Sequence, residues 1–178
     1  MKTYTWSVFL METEIINNKL YNLVGDIGAT NARFALVSPG SSEIEQIESL
    51  KCSDFEDIQS AILHYLSTQE NVEIQYACFA TAGTVHLDVF KLANNHWVIS
   101  KKDVQKTLKG IEVEWINDFT AQAFATTTLG DDDVIVINEG VVEPEKLRLV
   151  IGPGTGLGVC GLIMSPSGWL PIAGEGGH

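Results

Sequence analysis

Apolar residues run along this chain in short blocks whose spacing changes from block to block. Leu23–Val24 and Arg33–Val37 read as two strands of a hairpin, and the turn-rich SPGSS segment from Ser38 ends it. From Phe55 to Leu66 the pattern changes. Phe55, Ile58, Ile62, Leu63 and Leu66 share one face at helical spacing, which predicts a helix lying on that sheet, with His64 between them and partly exposed. Ile74–Val85 predicts a buried strand running into a turn at Gly83. A charged helix follows from about Ser100, where the Ser100 hydroxyl caps and Asp103 sits in the first turn near the positive end of the dipole. Ile111–Ile116 alternates apolar and acidic positions as a half-buried strand does, and the chain turns helical again from about Phe119. Asp131–Asp133 reads as a solvated loop. Arg148–Ile163 then repeats the opening design of apolar strand, glycine turn and apolar strand.

This alternation of strands and helices places the chain in the α/β class, and the two similar hairpins hint at a duplicated architecture. The 178 residues are 45% hydrophobic, enough for a packed core. The formal net charge is -12, with 11 basic against 23 acidic residues, and no basic run tracks a phosphate backbone. Nucleic acid and anionic membranes are therefore excluded as expected partners. An anionic ligand needs local backbone N–H groups, helix ends or a metal ion, because the overall field repels it. Cys52, Cys78 and Cys160 lie far apart and form no CxxC, which points to a reducing compartment. The apolar stretch Trp6–Met11 is short for a signal peptide, and no run approaches the ~20 apolar residues of a membrane span. The expected location is the cytoplasm, with residues 1–20 as an extra strand or extension.

Three polar constellations could carry chemistry. The turn Gly28–Asn31 has little side-chain bulk, so its N–H groups and the Thr30 hydroxyl can take phosphate oxygens while Asp26 serves an accompanying Mg²⁺; the alternative is a polar turn with a capping aspartate. Asn117 and Asp118 stand where a strand gives way to a helix, the crevice position for ligands in α/β sheets. There Asp118 serves either as a proton acceptor or as an ordinary cap. Glu175 and His178, in GEGGH, form either a pair for sugar hydroxyls or a glycine-rich tail. No GxxxxGK[ST] occurs, which excludes a P-loop. GPGTGLG resembles a dinucleotide fingerprint, but it runs into strand-like VCGLI and not a helix, and Gly168 and Pro171 are expected to break the chain beyond.

Together, GDIGATNAR, NNHW at Asn94–Trp97, INDFTAQA from Ile116, GPGTGLG and GEGGH resemble the bacterial glucokinase family, hexose kinases of the actin-like ATPase superfamily. The resemblance spans about Tyr21 to the last residue. It implies a ribonuclease H-like small domain over residues 21–128 and the beginning of a larger domain over 129–178. It also implies glucose and ATP as ligands, Mg²⁺ as the metal, and glucose 6-phosphate and ADP as products. On the matching positions, Asp118 resembles the general base for the hydroxyl at sugar carbon 6, Asn117, Glu175 and His178 resemble sugar ligands, and Asn95 shapes that pocket. Gly25, Asp26, Ile27, Gly28, Ala29, Thr30 and Asn31 correspond to the first phosphate loop, with Asp26 serving the metal. Gly154, Thr155 and Gly156 correspond to the turn that approaches the transferred group.

Three departures from the family pattern bear on function. Ala29 replaces a glycine, so a left-handed backbone there would be strained by ~1 kcal/mol. Thr84 replaces a proline, a change expected to alter the turn and not the chemistry. The chain also reaches only to His178 where family members continue for roughly as long again, so weak catalysis by these residues alone is expected, with self-association or strand exchange through an unfinished apolar edge. Two other readings stand beside the kinase: a non-catalytic sugar-binding or regulatory module, and half of a split enzyme.

Overall fold

The structure, a computed structural model, describes residues 18–82, 85–92, 94–141, 143, 145–153 and 157–176, and of Glu175 the backbone only. Strand β1 (Lys19–Ile27) pairs antiparallel with β2 (Asn31–Val37), and β3 (Ile44–Lys51) adds antiparallel to β2. Lys19 and Leu20, read from sequence as part of an extra strand or extension, belong to the first strand of the sheet. The third strand had no clear signal in the sequence, because Ile44 and Ile47 are exposed and only Leu50 is buried along it.

Helix α1 (Ile58–Ser67) starts at a capping box: the Asp57 carboxylate accepts the Ser60 N–H at 2.7 Å, and the Ser60 hydroxyl accepts the Asp57 N–H at 3.3 Å. Its buried face is Ile58, Ala61, Ile62 and Tyr65. Leu63, expected inward, is 54% exposed, because small Ala61 and the ring of Tyr65 complete the inward stripe instead. His64 is exposed and packs on Phe55 at 5.3 Å between ring centres.

Strand β4 (Val72–Thr81) runs parallel to β1. A two-stranded ribbon follows, β5 (Val89–Lys91) with β6 (Val98–Ser100), and then α2 (Lys101–Thr107). As expected, the Ser100 hydroxyl caps α2 by accepting the Asp103 N–H at 3.3 Å. Strand β7 (Glu112–Asn117) lies parallel to β4 and completes the sheet order β3-β2-β1-β4-β7. Leu23, Ile27, Phe34, Tyr65, Phe79 and Trp97 lie at 1% exposure or less in one continuous core shared by this sheet and α1.

Helix α3 (Asp118–Ala125) leaves β7 without an intervening loop. Asp131–Asp133 form one exposed turn, and Val134–Ile137 beyond it are exposed as well. The second sheet, β8 (Arg148–Pro153), β9 (Leu157–Ser165) and β10 (Gly168–Glu175), is antiparallel in the order β10-β9-β8. Gly168 and Pro171 therefore do not break the chain. Gly168 takes φ 109° where β10 begins, a conformation glycine adopts without strain, and Pro171 lies in an edge strand, which tolerates the missing N–H. One face of this sheet packs on α3 around buried Ala123, Cys160 and Leu162, with Phe119, Val150 and Trp169 against them. Arg148 ties the junction by donating to the Thr126 carbonyl at 2.6 Å and stacking on Trp169. The opposite face carries Leu149, Ile151, Leu170 and Ile172, all exposed. Among the described residues no helix is long and apolar enough to cross a membrane.

Candidate active site

Strand register decides what meets at the end of the first sheet. Ile27 pairs with Thr81, and Thr81 pairs with Asn117, so three parallel strands finish in line. Beyond those ends lie the turn Gly28–Asn31, the chain after Thr81, and the start of α3. Two strand spacings separate the first from the last, about 10 Å. The carboxyl ends of parallel strands form the ligand crevice of α/β sheets, and this one brings Asp118 beside the glycine turn.

The turn is held from beneath. The Gly28 N–H donates to the Asn31 carbonyl at 3.0 Å, and the Cys52 N–H donates to the Thr30 carbonyl at 2.9 Å. Ala29 and Thr30 form the exposed tip, with the Ile27 side chain buried below. Ala29 is not among the residues with positive φ, so its methyl group causes no backbone strain. Gly25 has another reason to be glycine. A Cβ there would lie 2.7 Å from the Phe79 ring and 3.2 Å from that of Phe34, so its small size serves core packing beneath the turn. Asp26 accepts from Arg33 at 2.7 Å, and both side chains are about half exposed, which orients the carboxylate at the base of the hairpin. A hollow of about 350 Å³ opens on this face between Val24, Ala35, Cys78, Ala80 and Ile116. Its walls are apolar, and burial pushes the Cys78 thiol up to about 11, so it offers a hydrophilic ligand little.

At the head of α3, Asn117 takes the capping role that its place between strand and helix allows. Its Oδ1 accepts the N–H groups of Phe119 at 2.9 Å and Thr120 at 3.2 Å, which makes it the cap and leaves its amide NH₂ for a ligand. Asp118 is half-buried and accepts the Phe119 N–H at 2.9 Å. The Phe119 ring fills a slot in the second hairpin. A Cβ at Gly152 would lie 2.4 Å from that ring, and one at Gly158 would lie 2.0 Å from it. These two glycines face each other across β8 and β9. Two glycines of GPGTGLG therefore exist to admit the side chain that follows Asp118. With β9 running on as a strand, the dinucleotide fingerprint has no helix to open.

The NNHW segment is clamped at both ends. His96 Nε2 lies 2.9 Å from the Phe55 carbonyl, and Trp97 Nε1 donates to the same carbonyl at 3.2 Å. Asn95, 7% exposed, accepts the Trp97 N–H at 2.9 Å and donates to the Gly28 carbonyl at 3.1 Å, so both halves of its amide are engaged inside the protein. Asn94 beside it is exposed at φ 59°, a conformation asparagine tolerates better than most residues. Gly154, Thr155, Gly156, His178, Gly83 and Thr84 lie outside the described residues, as do residues 1–17 and the Glu175 side chain.

Comparison with known proteins bears on the whole constellation. The family model described as Glucokinase matches residues 23–178. The glucokinase of Hahella chejuensis is 45% identical over 158 residues, covering 89% of this chain and 49% of that protein. The glucokinase of Sinorhizobium medicae is 44% identical over 156 residues, covering 88% and 46%. The chain thus spans about half the length of the curated relatives it matches. Among solved structures, a glucokinase from an Antarctic psychrotroph superposes with a TM-score of 0.81 at 34% identity, over 89% of this chain and 51% of that one. A Balamuthia mandrillaris glucokinase in complex with glucose, 21% identical, aligns with a TM-score of 0.65 over 89% and 48%, and shares the fold. The architecture is that of the actin-like sugar kinases, α/β as expected.

Proposed function

Because the chain belongs to the glucokinase family, we propose that its residues supply the phosphate turns, the general base and part of the sugar site for transfer of a phosphoryl group from ATP to glucose. The observation that carries this reading is the shared end of β1, β4 and β7, which sets the Gly28–Asn31 turn beside Asp118. Amide and hydroxyl groups at the exposed tip, Ala29 and Thr30, hold phosphate oxygens where the net charge of -12 supplies no attraction. Asp118 takes the proton from the hydroxyl at carbon 6 as that oxygen bonds to the γ-phosphorus. The bond from the γ-phosphorus to the β-bridging oxygen breaks, and ADP leaves. Asp26, oriented by Arg33, would be the carboxylate that holds Mg²⁺. When bound, Mg²⁺ neutralises charge on the transferred group.

In this reading Asn94 and the free amide of Asn117 contact the sugar, Glu175 and His178 are further sugar ligands, and Gly154, Thr155 and Gly156 serve the transferred phosphoryl group. Residues 21–128 form the small domain and 129–178 the start of the large one, working in the cytoplasm.

These residues alone are expected to phosphorylate glucose far more slowly than a whole glucokinase in a coupled assay. Turnover is expected to return on mixing with the separately expressed C-terminal half of a relative. Glucose 6-phosphate formed at ordinary rates without that half would overturn the first expectation, and no nucleotide or glucose binding by the mixture would overturn the reading itself. The exposed Leu149, Ile151, Leu170 and Ile172 face is also expected to drive self-association. Light scattering should show mass rising with concentration, whereas a constant monomer mass would count against it.

A further inference from the structure

Asn95 belongs to a segment whose sequence points toward sugar, yet its side chain points to the phosphate turn. Its Nδ2 donates to the Gly28 carbonyl at 3.1 Å across 67 residues of sequence, and its Oδ1 is fixed by the Trp97 N–H at 2.9 Å. A second donor reaches the same oxygen, the Cys52 thiol at 3.7 Å; burial raises the pKa of that thiol, so it keeps its proton. A trans peptide is planar, with its C=O and N–H on opposite sides. Fixing the Gly28 carbonyl toward Asn95 therefore turns the Ala29 N–H the other way, toward the exposed tip of the turn.

We infer that Asn95 is a positioning residue for the nucleotide and not a ligand of the sugar: it holds the Gly28–Ala29 peptide so that the Ala29 N–H presents to a phosphate oxygen. This rests on the kinase reading above, but it makes a distinct claim about which ligand senses Asn95.

Asn95→Asp is nearly isosteric and replaces the donor with a carboxylate oxygen facing the Gly28 carbonyl. Mg·ATP affinity, measured by titration calorimetry on the chain completed with a C-terminal half, is expected to fall roughly tenfold. It should recover relative to the unaltered protein as pH is lowered from about 8 to about 6, because the protonated carboxyl can donate again and its burial favours the neutral form. Glucose affinity should stay within about twofold, while Asn94→Ala should weaken glucose and spare Mg·ATP. Unaltered protein provides a test that requires no variant to fold: one Nδ2 proton of Asn95 should exchange slowly by NMR, and the Ala29 amide resonance should shift on adding Mg·ATP. Loss of glucose binding in Asn95→Asp with unchanged nucleotide affinity, or an Asn95 amide exchanging as freely as in a peptide, overturns the positioning role alone. An Ala29 amide indifferent to Mg·ATP overturns the nucleotide site, and the positioning role with it.

Discussion

Asp118→Asn is expected to lower turnover of the completed enzyme by about 10² to 10⁴-fold, the usual contribution of a positioned general base. The substitution keeps the shape of the side chain and an oxygen able to accept the Phe119 N–H, which Asp118 now does at 2.9 Å. The Asn117 cap on the Phe119 and Thr120 N–H groups is untouched, so the start of the helix should hold. What disappears is the basic oxygen. The loss should therefore fall on kcat, with glucose affinity and melting temperature close to those of the parent. A coupled assay beside calorimetric glucose binding makes the comparison. Turnover within a few-fold of the parent would remove Asp118 from the role of base.

Gly158→Ala should produce the largest loss of stability, by overpacking of about 1–3 kcal/mol. The added methyl carbon would sit 2.0 Å from the Phe119 ring, and the ring cannot retreat across the hairpin because Gly152 already approaches it from the opposite strand. The double variant Gly158→Ala with Phe119→Ala should regain part of that loss, since the two changes act on one contact and are not additive. Urea denaturation of the four proteins in this cycle supplies the coupling energy. Equal stability of Gly158→Ala and the parent would mean that the ring does not occupy the slot.

The elements legible in the sequence were those with a strong period or a local signal. Ser100 announced its helix by capping it, Ile111–Ile116 announced a half-buried strand, and the hairpin around Gly28 was clear from apolar runs flanking a small-residue turn. Strand β3 was not, because two of its three apolar positions, Ile44 and Ile47, face outward, nor was β10, where glycine and proline suppressed the reading of a strand that an edge position permits. Motifs located the candidate site but did not assign its duties. Glycine at 25, 152 and 158 was visible, whereas the aromatic ring that makes each one necessary lies on another segment. For the same reason Asn95 could be placed near a pocket but not connected to Gly28. Packing partners far apart in the chain are matched by tertiary structure, and residue type alone does not name them.

The two sheets differ greatly in how much they bury. The first shares one extensive core with α1, while among the described residues the second rests against α3 on the smaller cluster of Ala123, Cys160 and Leu162 with Phe119, Val150 and Trp169 against them. Such unequal parts open at unequal free energies, and the weaker part opens first. As temperature or denaturant rises, α3 and its attached hairpin should detach while the five-stranded sheet remains intact. The carboxylate would then wander from the glycine turn in a molecule that still gives most of its native circular dichroism, so inactivation precedes visible melting.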